Sequence, residues 1–376
     1  MAHILAPAAA PATELGRYRI LSSTAGVRVS PLQLGAMSLG QAWEPELGPM
    51  DKAGAFKLLD EYVLSGGNFI DTANDYQDEE SEEWLGEYFD EKGTRDQMVI
   101  ATKYTTHYRK HDLGLAGINY AGNHRKSLRL SVEASLKKLR TSYIDILYLH
   151  WWDHTTSIEE IMDSLHILVE QGKILYLGMS DTPAWIVSAA NYYARANNKT
   201  PISIYQGRWN VMMRDFEREI IPMARHFGMA LAPWGALGSG KFQSSKAIQE
   251  RKQRGEALRS IQGGEQSEAE AKMSEALCNV AAEHGIKSPT AVALAYVMSK
   301  YPYTYPIVGG RKVEHLRDNV KCLHISLTQQ QIEYLEAVVP FDPGFPSNLI
   351  GPDPKVAGKA TGLLAASGNL NFAIAK

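Results

Sequence analysis

Val99-Ile100-Ala101-Thr102-Lys103 is a short apolar run that stops on a charged residue; a helical pattern over 125–139 follows, and Ile146-Leu147-Tyr148-Leu149-His150 then repeats the first motif. A strand-length run, a longer helical segment and a second such run form the signature of a βα unit in a parallel sheet. Outward from this unit, strand-like runs lie near 33–35, 68–71, 98–102, 144–149, 175–179, 203–206, 229–233 and 304–308. That makes about eight, the number that closes a filled barrel. Helical patterns occupy 51–64, 79–91, 158–170, 184–194 and 215–227, with more at 266–283, 289–300, 313–322 and 328–338. Ser157 followed by Glu160 supplies a start signal and Gly66-Gly67 a stop signal. The expected fold is an α/β (β/α)8 TIM barrel over residues 17–340. Residues 1–16 read as a flexible tail. Runs at 17–21 and 27–32, joined by Ser22-Ser23-Thr24-Ala25-Gly26, read as a hairpin that plugs one end. The polar interval 238–264 reads as a mobile loop. The Pro-, Gly- and Ala-rich segment 341–376 reads as an irregular tail folded over the active site.

At 376 residues, 44% hydrophobic and 22% charged, the chain can bury a large core. Its net charge of −3 leaves no overall basic footprint for nucleic acid. Two cysteines, Cys278 and Cys322, allow at most one bridge and point to a reducing compartment. The Ala/Pro-rich start lacks the basic and apolar regions of a secretory signal, and no run reaches the 18 residues of a membrane span. A cytoplasmic protein without a membrane segment is expected, and the sequon Asn198-Lys199-Thr200 is a chance match.

In a parallel barrel the C-terminal strand ends open onto one face, so polar residues there converge whatever their separation in sequence. Asp71 and Tyr76 in Asp71-Thr72-Ala73-Asn74-Asp75-Tyr76, then Lys103 and His150, occupy such ends. Reduction of a carbonyl needs a proton for the nascent alkoxide, which a tyrosine can give. A neighbouring ammonium lowers the phenol pKa, Lys103 is suited to that task, and Asp71 can fix and charge the lysine. His150 can orient the substrate carbonyl. No metal is needed. Each residue alone has a plain structural reading, as cap, surface charge or packed ring; it is their coincidence at successive strand ends that carries the assignment.

The strings Asp71-Thr72-Ala73-Asn74-Asp75-Tyr76, Ala101-Thr102-Lys103 and Tyr148-Leu149-His150 resemble the aldo-keto reductase motifs over most of the chain. Gly122-Asn123-His124-Arg125-Lys126-Ser127 and Ile146-Leu147-Tyr148-Leu149-His150-Trp151-Trp152-Asp153 resemble the fungal aryl-alcohol dehydrogenase and norsolorinic acid reductase branch. The resemblance implies the barrel, NADP(H) bound in extended form, and the catalytic set Asp71, Tyr76, Lys103 and His150. It also places Ser180 and Gln206 on the nicotinamide carboxamide and stacks Trp234 on the nicotinamide ring. Asp181 stands where the family commonly has Asn, which alters a cofactor contact. Gly235, Leu237 and Lys241 fall in the loop after Trp234, where Lys241 is a candidate clamp for the diphosphate.

Gly309-Gly310-Arg311-Lys312, with His315 and Asn319, opens a helix after the last strand, and a helix N-terminus with Arg and Lys suits a phosphate. The resemblance puts the adenosine 2′-phosphate there and favours NADP over NAD. Gly235-Ala236-Leu237-Gly238-Ser239-Gly240-Lys241 nearly spells a P-loop, but Phe242 replaces the magnesium-binding hydroxyl. The i,i+4 histidine pairs 107/111 and 150/154 lack further ligands, so no metal site is expected.

Trp43, Tyr104, Trp151, Trp152 and Trp209 follow strand ends and are expected to line a pocket for planar ligands. The substrate expectation is therefore an aryl aldehyde, aryl alcohol or aromatic polyketide ketone, reduced with NADPH in a setting such as fungal secondary metabolism. The alternative is an NADPH-binding regulatory or redox-sensing subunit with little turnover. Reaction direction, oligomeric state and stereochemistry are not encoded in any motif.

Overall fold

The computed structural model describes residues 6–253 and 265–372. Among the described residues, ten strands form two sheets. β1 (Arg19–Ser22) and β2 (Ala25–Val29) make an antiparallel hairpin. β3 (Gln33–Gly35), β4 (Phe69–Asp71), β5 (Val99–Tyr104), β6 (Ile144–Leu149), β7 (Ile174–Ser180), β8 (Ile202–Arg208), β9 (Ala230–Trp234) and β10 (Ile307–Gly309) pair in parallel in the order β10-β3-β4-β5-β6-β7-β8-β9. Leu231 closes the ring by bridging to Thr304, with hydrogen bonds of 2.8 Å to Tyr303 O and from Tyr305 N. The fold is a (β/α)8 barrel.

The helices of eight or more residues are α1 (Lys52–Leu64), α2 (Glu80–Lys92), α3 (Arg125–Lys138), α4 (Ile158–Glu170), α5 (Ala184–Ala196), α6 (Ile220–Phe227), α7 (Ser245–Gln253), α8 (Glu268–Glu283), α9 (Pro289–Lys300), α10 (Val313–Val320) and α11 (Gln329–Val338). Ser157, Ser267 and Thr328 cap α4, α8 and α11 through their hydroxyls, which accept otherwise orphaned amides of the first turn.

Strand alternation divides the interior into two cores. Phe69, Val99, Ala101, Ile146, Tyr148, Ile204, Ala230 and Ala232 fill the barrel lumen. Their neighbours Ile70, Ile100, Leu147, Tyr205 and Leu231 face the surrounding helices. The lumen is filled by unequal partners: a Cβ at Gly178 would overlap the ring of Tyr148, its neighbour across the β6–β7 ladder.

Several expectations require correction. The hairpin turns at Ser23-Thr24, because Ser22 pairs with Ala25 and the small residues Ala25 and Gly26 continue the strand. The N-terminal segment is docked before residue 17: Thr13 donates to Ser65 O at 2.7 Å and Leu15 is fully buried. Within 238–264 a 3-10 turn (Gly238–Gly240) and α7 replace the expected loop, and 254–264 lie outside the described residues. The tail starts with Phe341 under the guanidinium groups of Arg214 and Arg218. Beyond it are three four-residue helices whose apolar side chains, including Leu349, Val356 and Leu363, are exposed.

Candidate active site

The period of two that places Phe69, Ala101, Tyr148, Ile204 and Ala232 in the lumen also points the next residue of the same parity out of its C-terminal mouth. Those residues are Asp71, Lys103, His150, Gln206 and Trp234. Lys103 is fully buried, and its ammonium donates to Asp71 Oδ2 at 2.8 Å, Thr72 O at 2.7 Å and the Tyr76 hydroxyl at 3.2 Å. Gln206 Nε2 donates to the other carboxylate oxygen of Asp71 at 2.7 Å. The imidazole of His150 stands edge-on to Tyr76, with ring centroids 5.9 Å apart. Structure therefore brings all four expected residues together.

Tyr76 comes from the β4–α2 loop rather than a strand. Gln77, Asp78 and Glu79 all adopt positive φ, a left-handed turn that costs roughly 1–2 kcal/mol per non-glycine residue. Side-chain bonds hold the turn: Gln77 donates to Met37 O and accepts from Trp43 N, while Lys138 bridges Glu79, Glu82 and Asn74 O. Gly40 makes the docking possible, since a Cβ there would overlap the Gln77 side chain. A fourth strained residue, Thr105 at φ 117°, lies two residues after Lys103 and accepts from Asn123 Nδ2 and from His150 N.

Electrostatics set the protonation states. Burial opposes charge on Lys103, but Asp71 and Tyr76 together outweigh it and raise its pKa, so it stays an ammonium. Burial, with the Lys103 charge second, holds His150 well below the ordinary histidine value and keeps it neutral. For Tyr76 the expectation needs amending: burial is the larger effect and raises the phenol to about 12, although Lys103 pulls it down. Tyr76 is thus a protonated phenol.

The residues expected to hold a dinucleotide line the same mouth from β7 to β10. Ser180 Oγ is buried and has no hydrogen-bond partner among the described residues, an orphan that a carboxamide would satisfy. Gln206 gives one of its two amide hydrogens to Asp71. Trp234 is partly exposed, and Asp181, in a left-handed conformation, accepts from its indole Nε1 at 3.3 Å. The aspartate thus uses an acceptor where a donor was the expected loss. Gly235 turns the chain at φ 69°, and its carbonyl accepts from the buried Asn210. Leu237 packs on the core behind it. Lys241 is ion-paired with Glu270 at 3.0 Å rather than presented alone. Gly309, Lys312 and Asn319 border a small hollow at the start of α10, and Arg311 lies against Gly48, where a Cβ would overlap its guanidinium. His315 is exposed on the first turn of α10. This donor set fits NADP(H): an orphaned hydroxyl, an exposed indole, a glycine-bearing loop and a basic helix start.

The aromatic rim is smaller than expected. Tyr104 and Trp209 have the wrong strand parity and are fully buried among the helices: Tyr104 donates to Asn123 O, and Trp209 stacks on Phe216 at 5.4 Å. Trp152 is half-buried against the outer core. Trp43, T-shaped to Tyr76 at 6.2 Å, and Trp151, 40% exposed and bonded to Thr106 Oγ1, remain at the mouth. Asp75 and Thr106, 3.8 Å and 3.3 Å from His150 Nδ1, also stand at this mouth, and only Asp75 has a sequence signal, its place inside the hexapeptide that ends in Tyr76. An open cavity of about 560 Å³ lies away from this site, lined by Arg17, Tyr18, Met298 and Cys322 among others, and none of the expected site residues reaches it.

A parallel eight-stranded barrel with a buried lysine joining an aspartate and a tyrosine at its C-terminal mouth defines a class. The model of the aldo/keto reductase family matches residues 31–340, and the chain belongs to that family. Over 98% of its length it is 59% identical to the aldo-keto reductase ausK of Emericella nidulans, covering 93% of that protein. It is 54% identical to the NADP(+) aryl-alcohol dehydrogenase of Phanerodontia chrysosporium, with 96% of each chain aligned. The norsolorinic acid reductase of Aspergillus flavus is 50% identical over 92% of this chain and 87% of its own.

Proposed function

We propose that the chain is an NADPH-dependent oxidoreductase that reduces aromatic aldehydes or ketones to alcohols, with Asp71, Tyr76, Lys103 and His150 as its catalytic set. The observation that carries this reading is the fully buried Lys103 ammonium, bonded at once to Asp71 and to the Tyr76 hydroxyl. NADPH, when bound, supplies the hydride, an electron pair with its hydrogen, to the carbonyl carbon. Tyr76 gives its hydroxyl proton to the carbonyl oxygen, so the product is the alcohol. A phenol at about 12 remains a stronger acid than an aliphatic alcohol, whose pKa lies near the roughly 15.7 of water, so that transfer runs downhill. Lys103 steadies the phenolate that remains, Asp71 and Gln206 fix the lysine, and neutral His150 orients the oxygen.

Ser180, Asp181, Gln206 and Trp234 would hold the nicotinamide, and Gly235, Leu237 and Lys241 the diphosphate. Gly309, Arg311, Lys312, His315 and Asn319 would hold the adenosine 2′-phosphate. Trp43 and Trp151, with Trp152 behind them, offer flat apolar contact for an aryl group. The names of the Phanerodontia and Aspergillus relatives support NADP and aromatic substrates. They give the regulatory-subunit reading no support. No helix among the described residues is long and apolar enough to cross a membrane.

The test is NADPH oxidation against aryl aldehydes, aliphatic aldehydes and anthraquinone-type ketones. Turnover preferring the aromatic members is expected; tight NADPH binding with negligible turnover across the panel would overturn the reading.

A further inference from the structure

Asp75 immediately precedes Tyr76, and its Oδ1 is shut away from solvent with no hydrogen-bond partner among the described residues. A buried carboxylate oxygen left unpaired is costly and calls for an explanation. The group it faces is His150, whose Nδ1 lies 3.8 Å away, a gap that a sub-ångström side-chain shift closes. Thr106 Oγ1 is 3.3 Å from the same nitrogen and can donate or accept. Among the described residues, the polar contacts given for the imidazole, Asp75 Oδ1 and Thr106 Oγ1, are both at Nδ1, and Nε2 is the nitrogen available to a substrate oxygen. A neutral imidazole carries one proton, so whatever sits on Nδ1 dictates whether Nε2 is a donor.

We propose that Asp75 is a positioning residue that sets the tautomer of His150, and through it the ability of Nε2 to donate to the substrate oxygen; this rests on the oxidoreductase reading above. A protonated Asp75 donates to Nδ1 and keeps the imidazole proton on Nε2, facing the carbonyl. An ionised Asp75 can only accept, so the proton moves to Nδ1 and Nε2 becomes an acceptor that cannot bond the carbonyl oxygen. No covalent bond changes beyond this proton placement. Charged groups reach Asp75 from every side: Lys103 at the end of β5 and Lys138 on α3 favour its ionisation, Glu82 on α2 opposes it, and His150 at the end of β6 is held neutral. Burial is the largest influence and lifts the carboxyl to about 6, so both forms are populated near neutral pH.

The test uses the full chain labelled with 15N-histidine, with the His150 signals assigned by their loss in His150→Gln. Nitrogen shifts then read the tautomer between about pH 5 and pH 8 without turnover. The wild type is expected to pass from Nε2–H at the acid end to Nδ1–H at the alkaline end, while Asp75→Asn holds one tautomer throughout. In parallel, kcat/KM for an aryl aldehyde is expected to fall roughly tenfold through pH 6 in the wild type and to lose that step in the variant. Asp75→Ala, checked for folding by thermal melting, must lose the step as well. A His150 tautomer that stays fixed in the wild type, or a step retained in both variants, would overturn the proposal. Turnover with a fixed tautomer would strike the tautomer assignment alone; a tautomer switch without turnover of any carbonyl would strike the oxidoreductase reading instead.

Discussion

The two ends of this barrel are built from one set of strands and differ in how completely their polar groups are satisfied. At the N-terminal end the hairpin places Leu21, Ala25 and Val29 against Phe69 and Tyr305. Most polar groups there are paired: Tyr305 donates to Ile20 O, Arg19 to Pro302 O and Thr304 O, Gln33 Nε2 to Tyr305 O, and the Tyr62 hydroxyl bonds Ser30, Leu32 O and Phe69, while Gln33 Oε1 has no partner among the described residues. At the C-terminal end a lysine is buried, four non-glycine residues between 77 and 105 take positive φ, and Ser180 Oγ and Asp75 Oδ1 have no partner among the described residues. One end is arranged for stability. The other holds strain and unmet hydrogen-bonding capacity where ligand and reaction can use them.

Lys103→Met should produce the largest effect, because it attacks both qualities at once. Asp71 would be left as a buried carboxylate without its cation, costing about 3–5 kcal/mol in chemical denaturation, and turnover should fall below detection. Stability unchanged within error would show that the Lys103–Asp71 pair is not the buried ion pair described. Leu21→Ala breaks the other end: a loss of about 2–5 kcal/mol is expected with kcat per folded molecule unchanged. A matching drop in kcat would show that the ends are not separable.

Asp75→Asn should run the other way. The folded-state pKa of Asp75 is raised from 3.8 to about 6, so its contribution to stability is full below about pH 4 and is lost as pH rises through about 6. Asparagine does not titrate, so the variant should gain up to about 1–3 kcal/mol over wild type at pH 7 and little at pH 4. An equal difference at both pH values would refute the shift. The smallest expected effect is that of Arg311→Ala: NADPH binding, followed by fluorescence, weakens about tenfold while NADH binding changes little. Equal losses for both cofactors would remove the proposed 2′-phosphate contact.

Much of this contrast was legible beforehand. Apolar runs stopping at Asp71, Lys103 and His150 announce a barrel and its working face, because strand ends and chemistry coincide there. Tyr104 and Trp209 lie near strand ends but out of the lumen's parity: one residue past Lys103 and three past Gln206, both turn toward the helices. Ala25 and Gly26 have the composition of a loop, yet Ser22 pairs with Ala25 and the hairpin turn shortens to Ser23-Thr24. The docking of Leu15 and the partnerless Oδ1 of Asp75 depend on three-dimensional neighbours, Ser65 and His150, that no local pattern specifies.

The central claim is that the C-terminal mouth is a proton-donating site built around Tyr76. Its most direct test is kcat for an aryl aldehyde, measured beside the NADPH dissociation constant, in wild type and Tyr76→Phe. The variant should lose roughly 10²–10⁴-fold in kcat with the dissociation constant within about twofold. Near-normal turnover in Tyr76→Phe would contradict the claim.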